Sequence, residues 1–279
     1  MDFLDDDDDD DDDNNNDNSI NTLLIQRPKN SGILSFHNGT EEAMLLYVYN
    51  NSNKNDIISI LQAIDKFCWS RHWMMHLGSE KSLYLIDILS NMNNDKPVIM
   101  IEIGSYCGYS SLILGKYLNN DGHLWCIECN EKCVNWTTKL IEYAGLENKI
   151  TVLHMDVSKD VELFKTLKDN IYDKYKTNSA IDLLFIDHEK SRYLTDLKAF
   201  EMSGLMKEGT IVVADNVLSL GIPLDDYLNH VKDKNGKYLS SETKYASLEY
   251  SRADSNKKTE NVDGSDVPLD DGIEISIYK

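Results

Sequence analysis

Short apolar runs alternate with helical patterns from position 98 onward, and this alternation is the main structural signal of the chain. Buried parallel strands are near-continuous apolar runs, whereas amphipathic helices repeat apolar residues every three or four positions. The apolar runs predict strands over 98–103, 123–128, 150–154, 181–186 and 210–214. The helical patterns predict helices over 108–118, 131–144, 159–172, 192–202 and 224–231. Such an order is typical of an α/β domain with a parallel sheet.

The two flanks of this region have different patterns. Residues 40–92 have a helical period, and their third helix is predicted over 79–91 with Ser79 as its N-cap. Near the end, 242–250 and 273–278 alternate apolar and polar residues, which predicts an antiparallel pair of strands. We therefore expect one three-layer α/β domain over 39–279, with a helical N-terminal cap.

The first 38 residues form an Asp/Asn-rich leader. Residues 1–18 contain eleven Asp and no Lys or Arg, so they carry more than half of the formal net charge of −20. A run of like charge without apolar partners predicts disorder, although docking of a basic partner or loose divalent-cation binding are alternatives. The remaining charge is also negative, which disfavours nucleic acid as a partner.

Three further absences in the sequence predict a cytoplasmic protein. No run of about 18 apolar residues is present, so we expect no membrane span. The N-terminus lacks a basic segment followed by an apolar one, so we expect no signal peptide. The five cysteines are odd in number and widely spread, which favours reduced thiols over a disulfide framework. Nothing in the sequence argues for a dimer, and we expect a monomer.

A Gly-x-x-x-Gly turn follows the first predicted strand, at Gly104 and Gly108. In doubly wound α/β domains, ligands bind at the carboxyl ends of the strands, and glycine allows the backbone to approach them closely. A dinucleotide fingerprint would have a glycine where this chain has Tyr106, and a bulky residue there leaves too little room for a pyrophosphate. The turn instead favours a smaller ligand such as S-adenosylmethionine. Glu128 ends the second strand and is placed to accept hydrogen bonds from a ribose.

Carboxylates recur at the predicted strand ends, at Glu102, Glu128, Asp187 and Asp215. Unpaired, they would repel one another and raise each other's pKa, so a cation or hydrogen-bond donors must lie among them. Asp187, Asp215 and Asn216 offer the oxygen ligands that suit Mg²⁺, with Mn²⁺ or Ca²⁺ as possible substitutes. The alternative is that the two aspartates cap helices.

Lys190 follows Asp187 by three residues, so its amine can lie beside the proposed metal. A nearby dication lowers the pKa of a lysine and makes it a candidate general base, whereas a lysine without such a neighbour would be an ordinary surface residue.

A second metal hypothesis concerns zinc, because His123, Cys126, Cys129 and Cys133 have zinc-like spacing. Their positions on a strand and the following turn would not converge, which favours reduced core thiols.

Several separated motifs together resemble the catechol O-methyltransferase family. They are GSYCGYS at 104–110, DHEKSRY at 187–193, GTIVVADNV at 209–217, LEY at 248–250, and the cap segments at 63–68 and 73–78. The resemblance extends from about residue 39 to residue 279. It implies the class I methyltransferase fold, a Rossmann-like seven-stranded, mostly parallel sheet with one antiparallel strand.

The resemblance also implies roles for individual residues. S-adenosylmethionine would contact Met75, Leu77, Gly104, Tyr106, Ser110, Glu128, Ser158, Asp187 and His188. Magnesium would be held by Asp187, Asp215 and Asn216, and would bind both oxygens of a catechol. Lys190 would take the proton from the attacking hydroxyl, and Glu249 would hold the other one. The acceptor would contact Trp73, Lys190, Asn216 and Glu249.

The chain departs from the family pattern at two positions near the acceptor. Glu189 stands where the family has Trp, and Leu220 stands where it has Pro. The insertion at 256–268 and the leader also lack a counterpart. These departures leave open another vicinal diphenol, such as a phenylpropanoid, as the acceptor. A non-catalytic scaffold that binds the cofactor is a further alternative.

Overall fold

The computed structural model describes residues 39–92, 95–177, 179–218, 224–250 and 270–279. The expectations for the acidic leader, Leu220 and the insertion at 256–268 concern residues outside these ranges.

Within residues 39–92, three helices precede the sheet and form the expected cap. They are α1 (Thr40–Asn51), α2 (Ile57–Ser70) and α3 (Gly78–Asn91). The strands are β1 (Ile99–Ile103), β2 (His123–Glu128), β3 (Ile150–His154), β4 (Leu183–Ile186), β5 (Ile211–Ala214), β6 (Tyr238–Ser247) and β7 (Asp270–Tyr278). The helices between them are α4 (Tyr109–Lys116), α5 (Glu131–Ala144), α6 (Leu163–Tyr175), α7 (Tyr193–Ser203) and α8 (Asp225–Lys232), with a 3₁₀ turn at Lys190–Arg192.

The seven strands form one sheet in the order β3-β2-β1-β4-β5-β7-β6. Strands β1 to β5 pair in parallel, and β7 runs antiparallel to both β5 and β6. The expectation of a mostly parallel sheet with one antiparallel strand is confirmed. Since β1 and β4 are neighbours but not consecutive, the strand order reverses between them, and their carboxyl ends open a crevice.

Alternate residues of β1 face two different helical layers. Met100 belongs to a core with the cap helices, α4 and α5, whereas Ile99, Ile101 and Ile103 belong to a core with α6, α7 and α8. A central strand covered on both faces must be apolar on both, which explains its unbroken apolar run. Within the described ranges, the helices are too short or too polar to cross a bilayer.

Several predicted boundaries are wrong, including the starts of α3 and α6 and the extent of β6. Helix α3 begins at Gly78 with Leu77 as its N-cap and no capping side chain, so Ser79 is not the cap. Helix α6 begins at Leu163 rather than at 159. The side chain of Asp160 accepts a hydrogen bond from the Asp156 amide, and this contact holds the residues before Leu163 in turns. Strand β6 covers 238–247, so Glu249 lies on the turn after the strand rather than within it.

Candidate active site

A cavity of about 400 Å³ opens at the carboxyl ends of the parallel strands. Most of the residues predicted to form the site line it, namely Trp73, Met75, Gly104, Tyr106, Glu128, Asp187, His188, Lys190, Asn216 and Glu249. These residues come from segments far apart in sequence, and the strand ends bring them together. The structure therefore joins the predicted cofactor and acceptor residues in one cavity.

Four predicted site residues are not in the cavity lining. Leu77 is buried at the start of α3, and Asp215 is buried just behind Asn216. The Ser158 hydroxyl donates to Asp196, which does line the cavity. Ser110 Oγ donates to Glu102 Oε1, 2.5 Å away, rather than facing the cavity.

Glu102 was expected at the rim with the other carboxylates, and the structure corrects this placement. It lies within β1, fully buried on the face toward α4, where the hydroxyls of Ser110 and Ser111 both donate to it. Burial raises the pKa of Glu102 to about 7 despite these donors. Its role in the described structure is to tie α4 to the central strand.

The glycine turn places the backbone against the end of β4. Gly104 has φ +88°, and a Cβ there would lie 2.3 Å from the carbonyl oxygen of Asp187. No other residue fits this position without separating the ends of β1 and β4. The close approach brings the proposed cofactor turn and the proposed metal ligand to the same point.

Glu128 is fixed by the backbone of the two turns beside it. Its Oε2 accepts from the Tyr106 amide at 3.0 Å, and its Oε1 accepts from the Asn130 amide at 2.9 Å. Burial nevertheless raises the pKa of this carboxyl. Each carboxylate oxygen can accept a second hydrogen bond, so Glu128 retains the capacity to bind a vicinal diol.

Asp196 is a site residue that sequence reasoning missed. It is almost fully buried, and its two oxygens contact Ser158 Oγ and His188 Nε2, each at 2.8 Å. The His188 ring in turn stacks on Tyr193 at 5.3 Å. Asp196 thus joins two predicted cofactor residues, but its position on α7 gives no signal in the sequence.

Lys190 is held between two oxygens at the wall of the cavity. Its Nζ lies 2.9 Å from Asp187 Oδ1 and 2.6 Å from the Tyr193 hydroxyl, and that hydroxyl donates to the backbone oxygen of Asp215. The side chain is 4% exposed. The amine therefore has a fixed position beside Asp187, as the sequence predicted.

A second buried lysine, which the sequence did not indicate, lies behind the site. Lys81 Nζ from α3 is 2.7 Å from Asp215 Oδ1, 2.9 Å from Glu249 Oε2 and 2.8 Å from Asp271 Oδ2. Burial alone would lower the pKa of Lys81, but the three carboxylates outweigh burial and raise it well above its ordinary value. Lys81 thus compensates the charges of Asp215, Glu249 and Asp271.

The remaining charge and the donor chemistry fit a divalent cation. Burial raises the pKa of Asp215 well above its usual range, and the nearby Asp187 carboxylate raises it further. Lys81 contacts three carboxylates (Asp215, Glu249 and Asp271), and Lys190 contacts a fourth (Asp187), so these six groups carry a formal charge of −2. Asp187, Asp215 and Asn216 would supply the oxygen ligands that Mg²⁺ prefers.

Comparison with known proteins shows the family to which the chain belongs. The family model described as O-methyltransferase matches residues 50–277. Catechol O-methyltransferase of Bos taurus is 34% identical over 212 residues, which cover 76% of this chain and 72% of the bovine protein. Catechol O-methyltransferase B of Danio rerio is 33% identical, covering 76% of this chain and 75% of the fish protein. The chain belongs to the catechol O-methyltransferase family.

Solved structures support the fold of this O-methyltransferase. The O-methyltransferase TomG of Streptomyces achromogenes, solved with S-adenosylmethionine, has a TM-score of 0.54 at 16% identity and covers 84% of this chain and 96% of its own. The methyltransferase PaMTH1 of Podospora anserina has a TM-score of 0.52 at 17% identity, with coverages of 89% and 99%. The expectations of a class I methyltransferase fold and an S-adenosylmethionine-dependent O-methyltransferase are confirmed.

Proposed function

We propose that this enzyme transfers a methyl group from S-adenosylmethionine to one hydroxyl of a catechol, with Mg²⁺ as the metal and Lys190 as the general base. The observation that carries the proposal is the placement of Lys190, Asp187, Asn216 and Glu249 around the same cavity as the glycine turn. The relatives named catechol O-methyltransferase support the same acceptor.

The cofactor side of the cavity would bind S-adenosylmethionine through its ribose and adenine. Glu128 would accept hydrogen bonds from the ribose hydroxyls, and His188, held by Asp196, would contact the adenine. Gly104 lets the glycine turn, which would contact the cofactor, approach the Asp187 backbone closely. Such fixed positioning of the reacting groups can supply about 7–11 kcal/mol in a bimolecular transfer.

The acceptor side would hold a vicinal diol at two points. Magnesium, when bound, would favour ionisation of a coordinated phenol, whose ordinary pKa is about 10. Lys190 Nζ would take the proton of the attacking hydroxyl, since it is fixed beside Asp187. Glu249 would hold the second hydroxyl through Oε1, because Lys81 and Asn216 both contact its Oε2.

Trp73 would pack against the acceptor ring at the cavity wall. Its indole nitrogen donates to the backbone oxygen of Glu249 at 2.9 Å, which ties the ring to the segment that carries the proposed acceptor contact. A simple phenol could use only one of the two oxygen contacts. The proposal therefore predicts a preference for vicinal diphenols over simple phenols.

The proposal predicts metal-dependent methylation. Purified protein, methyl-labelled S-adenosylmethionine and a catechol should give a labelled monomethyl ether in the presence of Mg²⁺. A chelator should abolish the product, and added Mg²⁺ should restore it. Methylation that persists in chelator would exclude the metal mechanism. Cofactor binding by calorimetry without turnover of any vicinal diphenol would instead favour a non-catalytic scaffold.

Glu189 makes the identity of the catechol testable. Its exposed carboxylate lines the cavity and, within the described ranges, contacts only Ser191. A catechol with an ammonium side chain should therefore have a lower KM than one with a carboxylate, including a phenylpropanoid acid. Glu189→Gln should reduce this difference by about two- to fivefold, the range of an exposed charge pair. Measured KM values for the two acceptors check the prediction.

Glu208→Gln is the control for this measurement, because Glu208 is exposed in the turn before β5, at the opposite edge of the sheet. It should leave both KM values unchanged. Equal KM values for the two acceptors in the unmodified enzyme, or better turnover of the phenylpropanoid acid, would contradict the role of Glu189.

A further inference from the structure

The side-chain amide of Asn216 has only one end that can bind a metal, and the structure fixes which way it points. Its Nδ2 lies 2.7 Å from Asp271 Oδ2 and 3.3 Å from Glu249 Oε2. Ionised carboxylate oxygens only accept hydrogen bonds, so the atom beside them must be the nitrogen. The oxygen Oδ1 is therefore directed away from these two carboxylates, and Asn216 lines the cavity.

Asp271 is itself held rigidly by β7. This strand runs antiparallel to β5, with Ala214 opposite Glu274, so the start of β7 lies beside the residues that follow β5. The Val217 amide donates to the Gly272 oxygen at 3.1 Å, which joins the two segments directly. Asp271 is fully buried, and Lys81 Nζ lies 2.8 Å from the same oxygen that contacts Asn216.

Lys81 connects this orienting contact to the other proposed groups. The same ammonium contacts Asp215, the adjacent proposed metal ligand, and Glu249, the proposed acceptor contact. We propose that Asp271, held by Lys81, is a positioning residue that aims the Asn216 oxygen at the metal. This inference rests on the proposed function, in which Asn216 is a metal ligand. Hydrogen-bond partners of metal ligands elsewhere contribute about 10–100-fold to metal affinity.

The test measures Mn²⁺ binding to the full chain by electron paramagnetic resonance, without acceptor and without turnover. Asp271→Asn replaces a carboxylate that can only accept with an amide that can also donate, so position 271 no longer selects the nitrogen end of the Asn216 amide. The Kd for Mn²⁺ should therefore rise about 10–100-fold. The Kd for S-adenosylmethionine, measured by calorimetry, should change by less than about twofold, because Asp271 does not line the cavity. An unchanged Mn²⁺ affinity in the folded variant would overturn the proposal.

Glu274→Gln is the matched control. Glu274 is a buried carboxylate on the same strand and is paired with Lys232, but it is bound by Ser241 and Thr243 rather than by Asn216. If the buried acids of β7 have only a structural role, Asp271→Asn and Glu274→Gln should lose Mn²⁺ affinity equally. A positioning role predicts that Glu274→Gln binds Mn²⁺ like the unmodified chain.

A double exchange keeps the proposal testable if Asp271→Asn does not fold. Combining D271N with N216D retains the total charge and places the amide at 271 and the carboxylate at 216. Both ends of a carboxylate can bind a metal, so the double variant should bind Mn²⁺ within about fivefold of the unmodified chain. A folded double variant without Mn²⁺ binding would overturn the proposal. Absence of Mn²⁺ binding in the unmodified chain would overturn the proposed function as well, which separates the two failures.

Discussion

Lys190→Ala is expected to lower kcat for methyl transfer about 10²–10⁴-fold, the usual contribution of a positioned general base. The amine is nearly buried and is held in one position between Asp187 and Tyr193. The Kd for S-adenosylmethionine should change little, because Lys190 is proposed to contact the acceptor and not the cofactor. Turnover at saturating Mg²⁺ and calorimetric binding of the cofactor measure the two quantities separately.

Lys207→Ala is the control for general effects of removing a paired lysine. Lys207 Nζ lies 2.6 Å from Asp182 Oδ1, at the amino end of β4 and far from the cavity. The Lys207→Ala substitution should leave kcat unchanged. A small primary amine added to Lys190→Ala should restore part of the lost activity, because it can enter the space that the side chain leaves. Equal losses of kcat and cofactor affinity would argue against a base role for Lys190.

The site residues that the alternation of strands and helices predicts by itself lie at strand ends. Glu128, Asp187 and Asn216 follow apolar runs, and parallel strands bring their carboxyl ends to one edge, so their proximity follows from the pattern. The same reasoning placed Glu102 at the rim. This was wrong because Glu102 lies before the end of β1, on the face that packs against the serines of α4.

The residues that could not be predicted lie on elements with no fixed relation to the strand ends. Lys81 is 134 positions from Asp215 and belongs to a helix in which a lysine is normally a solvated residue. The repulsion among carboxylates predicted that a cation or hydrogen-bond donors must lie among them, but the sequence does not show whether any of its 28 basic residues does so. Asp196 and Asp271 were missed for the same reason, since each is recognisable only by its tertiary partners.

Helix and strand ends were predicted less accurately than their centres, because contacts with distant segments help to decide them. Ser79 has the residue type of an N-cap, yet α3 starts one residue earlier, where Gly78 adopts φ +73° close to Glu249. A Cβ at Gly78 would lie 2.8 Å from the Glu249 Cβ. The start of α3 is thus fixed by the approach of the segment that carries Glu249, which periodicity does not report.

Lys81→Met is expected to have the largest effect on stability. The ammonium is fully buried and contacts three carboxylates, so its removal leaves several buried negative charges uncompensated. Breaking a buried ion pair by removing one partner costs about 3–5 kcal/mol, and we expect a loss in this range for the free energy of unfolding. Chemical denaturation of the metal-free protein at neutral pH measures it.

Lys232→Met is the matched control, because Lys232 also pairs with a buried carboxylate, at 3.2 Å from Glu274 Oε2, but is itself 41% exposed. Removing the Lys232 ammonium should lower the free energy of unfolding by less than about 1 kcal/mol. If the loss in Lys81→Met comes from uncompensated carboxylates, adding Asp271→Asn should recover part of it, since the two residues are in direct contact. Additive losses in the double variant would show that Lys81 stabilises the fold by packing alone. Partial recovery would show that the charges of the site and the stability of the fold depend on the same ammonium.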